Sequence, residues 1–169
     1  MKKNLTRIAA VAASAGLAFA VALPAQAATV STPTATKLQA LTAEEKLAHD
    51  VYVTLGSYWN ARRFSNIANA ETRHYTAMQT VLKTYGIADP SAGVTVGTFD
   101  DPAVQKLYDA LIAEGKTSLT AAYGVGVKIE QLDIADLDAL LAKWLPADVK
   151  FVLTNLRAGS ANHLSAFSR

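Results

Sequence analysis

A helix whose apolar stripe is interrupted by charge constrains this chain more than any other feature. Phe64, Ile67, Ala68, Tyr75, Met78, Val81, Leu82 and Tyr85 recur every three or four residues, which marks one face of a helix. Glu71 and His74 fall on that face, one turn apart, where Leu or Ile is expected. Taking an unpaired carboxylate out of water costs several kcal/mol, so the face needs polar partners from other helices. A carboxylate and an imidazole at i and i+3 point the same way and can share one metal ion.

The first 27 residues read as an export signal. Lys2, Lys3 and Arg7 form a positive start, Ile8 to Leu23 an apolar run, and Pro24-Ala-Gln-Ala27 a small-x-small cleavage site, with the mature chain expected to begin at Ala28. Cleavage leaves 142 of the 169 residues and no stable membrane insertion. Three of the 16 basic residues leave with it, so 13 basic groups face 14 acidic ones. Near-neutral charge gives no electrostatic case for nucleic acid or anionic membrane. Without cysteine, stability has to come from the core, with or without metal. Residues 28–40, rich in Thr, Ala and Pro, are expected to be a flexible linker, and 41–169 the folded domain.

That domain is predicted to be all-α, with four long helices and two short ones. The first starts at Thr42 with Glu45 in a capping box; its seam runs Leu41, Glu45, Ala48, Tyr52, Leu55, Trp59. Glu45 is therefore either an exposed capping partner or an inward ligand. Ser65 is expected to cap the second helix, which ends at Gly86, and a long connection with Pro90 follows. Asp101-Pro102 opens a short helix closed by Gly115. Ser118 caps the next, whose seam is Leu119, Tyr123, Gly126, Glu130, Asp133. Asp133 is either a second inward acid or the cap of a short helix from Ile134 to Lys143. The last helix, from about Pro146 to Phe167, carries Ser160 and His163 on its seam.

Each long helix thus places an ionisable group at mid-seam: Glu45, Glu71 with His74, Glu130 with Asp133, and His163. In a four-helix bundle these positions converge. Clustered carboxylates repel and rise in pKa unless a cation joins them, and a cation held only by the folded form stabilises it. Carboxylate and imidazole without thiolate suit iron or manganese, with zinc next. Copper fits less well, because Met78 is the only methionine of the mature chain.

These residues also resemble a known family. Glu45-Lys-Leu-Ala-His-Asp-Val-Tyr52 is similar to the first-helix Glu-x-x-Ala-x-x-x-Tyr of ferritin-like proteins, and Glu71-Thr-Arg-His74 to their Glu-x-x-His. Glu44-Glu45-Lys-Leu-Ala, Phe64-Ser-Asn-Ile67, Ile129-Glu-Gln-Leu-Asp-Ile134 and Gly159-Ser-Ala-Asn-His163 bring it closest to an uncharacterised ferritin-like domain-of-unknown-function family. The resemblance covers Leu41 to Phe167. It implies a ferritin-like four-helix bundle with a long crossover containing Pro102 to Glu114. Ser160 stands where typical di-iron relatives carry the Glu of a second Glu-x-x-His, so one metal or two remain open.

Two functions follow as expectations. One is an exported metal-binding protein, iron or manganese held by Glu45, Glu71, His74, Glu130, Asp133 and His163, acting in oxidation, peroxide handling or metal sequestration as a non-haem oxidoreductase. The other is a metal-free helical binding or structural module of the cell envelope. Metal and oligomeric state are both open at this level. Intact-mass measurement of exported protein should give a chain beginning at Ala28; an uncleaved chain held in the membrane contradicts the export reading.

Overall fold

The structure, a computed structural model, describes residues 29–169; the expected export signal, 1–27, lies outside them. Five helices and no strand occur among the described residues: α1 (Thr32–Trp59), α2 (Arg62–Thr84), α3 (Pro102–Gly115), α4 (Leu119–Leu141) and α5 (Ala147–Phe167). The described residues are all-α, as the periodicity predicts. No described helix is long and apolar enough to cross a membrane.

Helix α1 corrects the expected linker. It starts ten residues before Thr42, with Ser31 accepting from Thr34 N and Pro33 in the first turn. Ser31-Thr-Pro is a helix start, and Leu38 extends the stripe of Leu41 and Glu45 by one turn into the core. Thr42 is no cap: mid-helix, its hydroxyl donates to Leu38 O at 2.7 Å. Glu45 is consequently released from capping and points inward. Asn60, in the left-handed conformation, ends α1 so abruptly that α2 begins at Arg62, leaving Ser65 one turn inside rather than at the cap.

The second expected short helix is also absent. Helix α4 runs unbroken through Ile134 to Leu141, because Ile129, Leu137 and Leu140 continue one buried face across Asp133. The other starts follow the sequence: Asp101 accepts from Ala103 N at 2.7 Å ahead of Pro102, and Ser118 from Ala121 N at 3.0 Å.

Helix α1 packs on α2 and α4, α5 on α2 and α4, closing a ring of four; α3 lies outside, against α1 and α4. Two apolar cores fill the ring. One holds Ala48, Tyr52, Phe64, Ala68, Ile129 and Phe167, the other Leu41, Met78, Leu137, Val149 and Leu156. Following each helix from core to core gives its direction: α1 and α5 run one way, α2 and α4 the other. Parallel α2 and α4 require a connection that returns the length of the bundle, and residues 85–118 provide it.

A buried ion pair holds this crossover down. Lys46 and Asp50 are bonded one turn apart on α1. Lys46 Nζ also donates to Thr95 O (3.1 Å) and Thr98 O (3.2 Å), and lies 4.2 Å from the centre of the Phe99 ring. Asp50 Oδ2 accepts from Gly97 N at 2.9 Å. Gly97 has φ +78°, and a Cβ there would fall 2.8 Å from the Tyr108 hydroxyl, so only glycine suits the turn. Asp50→Ala strands the Lys46 ammonium in the core and should cost about 3 kcal/mol. Urea denaturation measures the loss, with faster amide exchange over residues 95–99 as its local sign; unchanged exchange there contradicts the anchoring role.

Candidate functional site

Between the two apolar cores lies a buried polar layer made by all four ring helices. Glu45 comes from α1, Glu71 and His74 from α2, Glu130 and Asp133 from α4, and Ser160 and His163 from α5. Glu45, Glu71, Glu130, Asp133, Ser160 and His163 are buried, His74 nearly so. On each helix the apolar stripe resumes on both sides, so packing alone drives these groups inward.

Glu71 is the centre of the layer. His74 Nδ1 lies 2.9 Å from its Oε2, and His163 Nδ1 lies 2.7 Å from its Oε1. Glu45 Oε2 stands 3.4 Å from His74 Nδ1, and Glu130 Oε1 stands 3.6 Å from His163 Nδ1. The two imidazoles face each other at 5.4 Å between ring centres. One donor atom from each of Glu71, His74 and His163 lies within 4.8 Å of the other two. Five of the six expected residues are therefore joined by these short approaches. Asp133, the sixth, attaches at the edge: it caps nothing, and its Oδ2 accepts the Ser160 hydroxyl at 2.5 Å.

Short distance does not make these contacts hydrogen bonds. Glu45 Oε1, Glu71 Oε1, His74 Nδ1, Asp133 Oδ1 and His163 Nδ1 are all buried with no bonded partner, the two nitrogens included, although each has a carboxylate oxygen within 3 Å. The neighbouring oxygens lie off the direction in which a ring N–H would point. Buried polar groups seldom stay unsatisfied, and five in one layer is exceptional.

Three residues complete the layer in ways the periodicity did not reveal. Tyr52, two turns after Glu45, donates its buried hydroxyl to Glu130 Oε1 at 2.7 Å. Ser160 positions Asp133 across the α4–α5 contact. Gly159 lets α5 approach the His74 ring, since a Cβ there would fall 2.5 Å from Nε2. Tyr52 and Ser160 stood on their helices' seams, and that was the available signal; Gly159 gave none without the neighbouring helix. His49, on α1 beside the layer, lies 2.8 Å from Asp50 and belongs to the crossover anchor.

The electrostatics follow the layout. Burial pushes Glu130 up to about 7 and Asp133 up to about 6, and raises Glu45 as well. Burial likewise, then Asp136 and Asp133, lift Glu44 at the outer edge to about 7. Burial also opposes charge on Glu71, but His163 and His74 outweigh it and hold the carboxyl at about 2. Burial disfavours the imidazolium forms, yet Glu45 and Glu71 raise His74 to about 10, and Glu130 and Glu71 raise His163 to about 9.

The fold and layer define a class: a helical bundle with a buried carboxylate–imidazole cluster midway along it. Residues 35–169 match the family described as "Uncharacterized protein domain (DUF2202)", and the chain belongs to that family. It is 44% identical over 126 residues to the uncharacterized protein MJ0754 of Methanocaldococcus jannaschii, across 75% of this chain and 68% of that one. The crystal structure of hypothetical protein MJ0754 from Methanococcus jannaschii DSM 2661 superposes with a TM-score of 0.79 at 41% identity. That match covers 86% of this chain and 82% of the other. Membership in an uncharacterised domain family agrees with the motifs and assigns no activity.

In metal-free protein, pH should govern stability in one direction. Glu44, Glu45, Glu130, Asp133, His74 and His163 all have folded pKa values above their ordinary ones. Each contributes stability present below its unfolded pKa and lost as pH rises through its folded pKa. Glu71 has the opposite sign, but its window closes below about pH 4.5. The Tm of chelator-treated protein should therefore fall by on the order of 5 °C between pH 5.5 and 8.5. A Tm that rises over that range contradicts the assignment.

Proposed function

We propose that this protein is an exported ferritin-like metal protein that binds iron or manganese in the buried layer. The observation that carries the reading is the set of unsatisfied donor atoms around Glu71, His74 and His163. Two donors held about 2.1 Å from one ion at a right angle stand about 3 Å apart. The separations of 2.7 and 2.9 Å between Glu71 and the two Nδ1 atoms are close to that figure. Nitrogens that approach oxygens without bonding to them suit a shared cation better than a shared proton. Glu71, His74 and His163 would hold it, with Glu45 and Glu130 completing the set and Asp133 as the outlying sixth donor. All-oxygen-and-nitrogen donors favour iron or manganese, then zinc.

The antiparallel pairs α1/α2 and α4/α5, joined by a long crossover, support the ferritin-like arrangement. With Ser160 bonded to Asp133 rather than replaced by a ligating Glu, one well-held metal is the simpler stoichiometry. A second would need Asp133 Oδ1. When bound, such a metal would supply one-electron chemistry with dioxygen or hydrogen peroxide; without turnover, the same ligands would sequester it. The chain's own residues would keep water from the site with two apolar cores and hold Glu130 in place through the Tyr52 hydroxyl.

One observation favours a second reading, a metal-free structural module. Glu45, His74, Glu71, His163 and Glu130 alternate acid and base, and two added protons would neutralise much of the chain of charge. The readings separate by mutation. Glu71→Ala and His74→Ala should each reduce bound metal at least tenfold, measured by elemental analysis, and abolish the rise in Tm on adding Fe(II) or Mn(II). Metal content and Tm unchanged in both variants would remove the metal reading. The structural module expects an all-apolar replacement of the layer to stabilise the fold by 1–4 kcal/mol, about the range seen when buried ion pairs are replaced. Consumption of Fe(II) or peroxide by loaded protein distinguishes turnover from storage.

A further inference from the structure

A groove runs beside the layer, between α1, α3 and α4. It consists of two depressions of about 370 Å³ and about 200 Å³ that share Glu44, Leu47, Leu107 and Leu132. Together they are of a size that holds small organic ligands. The inner one is walled by Leu47, Leu107, Leu111, Ile129 and Leu132. Leu107 and Leu132 remain 41% and 52% exposed, so folding leaves an apolar surface here in water.

The polar groups of the inner depression are almost all acceptors. Asp133 is only 8% exposed; its Oδ2 is bonded to Ser160, while its Oδ1 has no partner. Glu44 Oε2 is likewise buried and unpartnered. The one basic residue there, Lys128, is tied to Glu114 at 2.6 Å. Two unsatisfied carboxylate oxygens select a ligand that donates hydrogen bonds and carries positive charge. Leucine walls disfavour a hydrated inorganic ion, which would lose its water there without replacement. They suit an aliphatic body.

We propose that this groove binds a small amphipathic cation, a primary alkylammonium, with its chain on the leucines and its ammonium against the carboxyl groups of Asp133 and Glu44, both of which line the inner depression. Ser160, which holds the other oxygen of Asp133, stands one turn before His163 on α5. The bound head group would therefore lie one side chain away from the buried layer. Its use as a substrate there rests on the metal reading above; the binding does not.

The test uses the mature chain treated with chelator and titrated calorimetrically at pH 8 with hexylamine, 1-hexanol and hexanoate. Hexylammonium should bind most tightly, hexanol more weakly, and hexanoate not at all. Glu44→Gln, at a half-buried position, should weaken hexylammonium about tenfold and leave hexanol unchanged. Asp133→Asn should do the same if it folds; Glu44→Gln decides alone if it does not. Hexylammonium should perturb the NMR methyl signals of Leu107 and Leu132 ahead of others. Glu71→Ala, which empties the proposed metal centre, should retain hexylammonium binding. Hexanoate binding as tight as hexylammonium, an unchanged affinity in Glu44→Gln, or loss of binding in a folded Glu71→Ala each overturns the proposal.

Discussion

Glu71 between two imidazoles is the contact on which the rest of this structure depends. A carboxylate buried at the middle of a bundle is destabilising by several kcal/mol unless something compensates it. Here compensation has to come from side chains, because the helical backbone around it is already bonded to itself. His74 arrives from the same helix and His163 from α5, so the compensation exists only when α2 and α5 are in register. A slip of one turn would remove His163 from Glu71 and place Ser160 or Phe167 in its stead. The polar layer therefore sets the vertical register of the bundle, a task that two continuous apolar cores could not perform, since leucine packs on leucine at many offsets. Gly159 supports it by letting α5 come close enough to touch the His74 ring.

The outer parts of the chain serve the same arrangement. Helices α2 and α4 run parallel, so the connection between them must travel the length of the molecule. It does so as α3 and a pair of turns, not as a free loop. The Lys46–Asp50 pair fastens those turns one helical turn beyond Glu45. Tyr75 and Gln79 hold the start of the connection through Asp89. Anchor and layer thus share helices, and a disturbance of α1 at Lys46 would be felt at Glu45.

Much of this was legible because each seam is short-range information. The i, i+3, i+4 pattern marks Glu71 and His74 as inward without knowledge of any partner, and Glu130 and His163 likewise. What failed depended on competing local signals. Thr42 and Glu45 form a good capping box, and Asp133-Ile-Ala-Asp reads as a fresh helix start. Tertiary burial of Leu38 on one side and Leu137 on the other overrode both, extending α1 backwards and α4 forwards. Residues 32–40 looked like a tether because Thr and Ala dominate them, although Ser31 and Pro33 already spelled a helix start. The Tyr52–Glu130 bond and the Ser160–Asp133 bond could not be read at all, since they join residues 78 and 27 positions apart.

A cation and a pair of protons are the two ways to neutralise such a layer, and they differ in what they do to geometry. Protons would draw each Nδ1 into line with one carboxylate oxygen. A cation would leave nitrogens and oxygens near one another and unbonded among themselves, and the Nδ1 atoms of His74 and His163 stand beside Glu71 without a bonded partner. Anomalous X-ray diffraction from crystals grown with Fe(II) or Mn(II), collected on both sides of the metal's absorption edge, addresses this directly. A cation-held layer gives a peak within bonding distance of Glu71 and of Nδ1 of both His74 and His163. Anomalous signal confined to the surface, with linear N–H···O bonds joining the imidazoles to Glu71 in the same crystals, would contradict it.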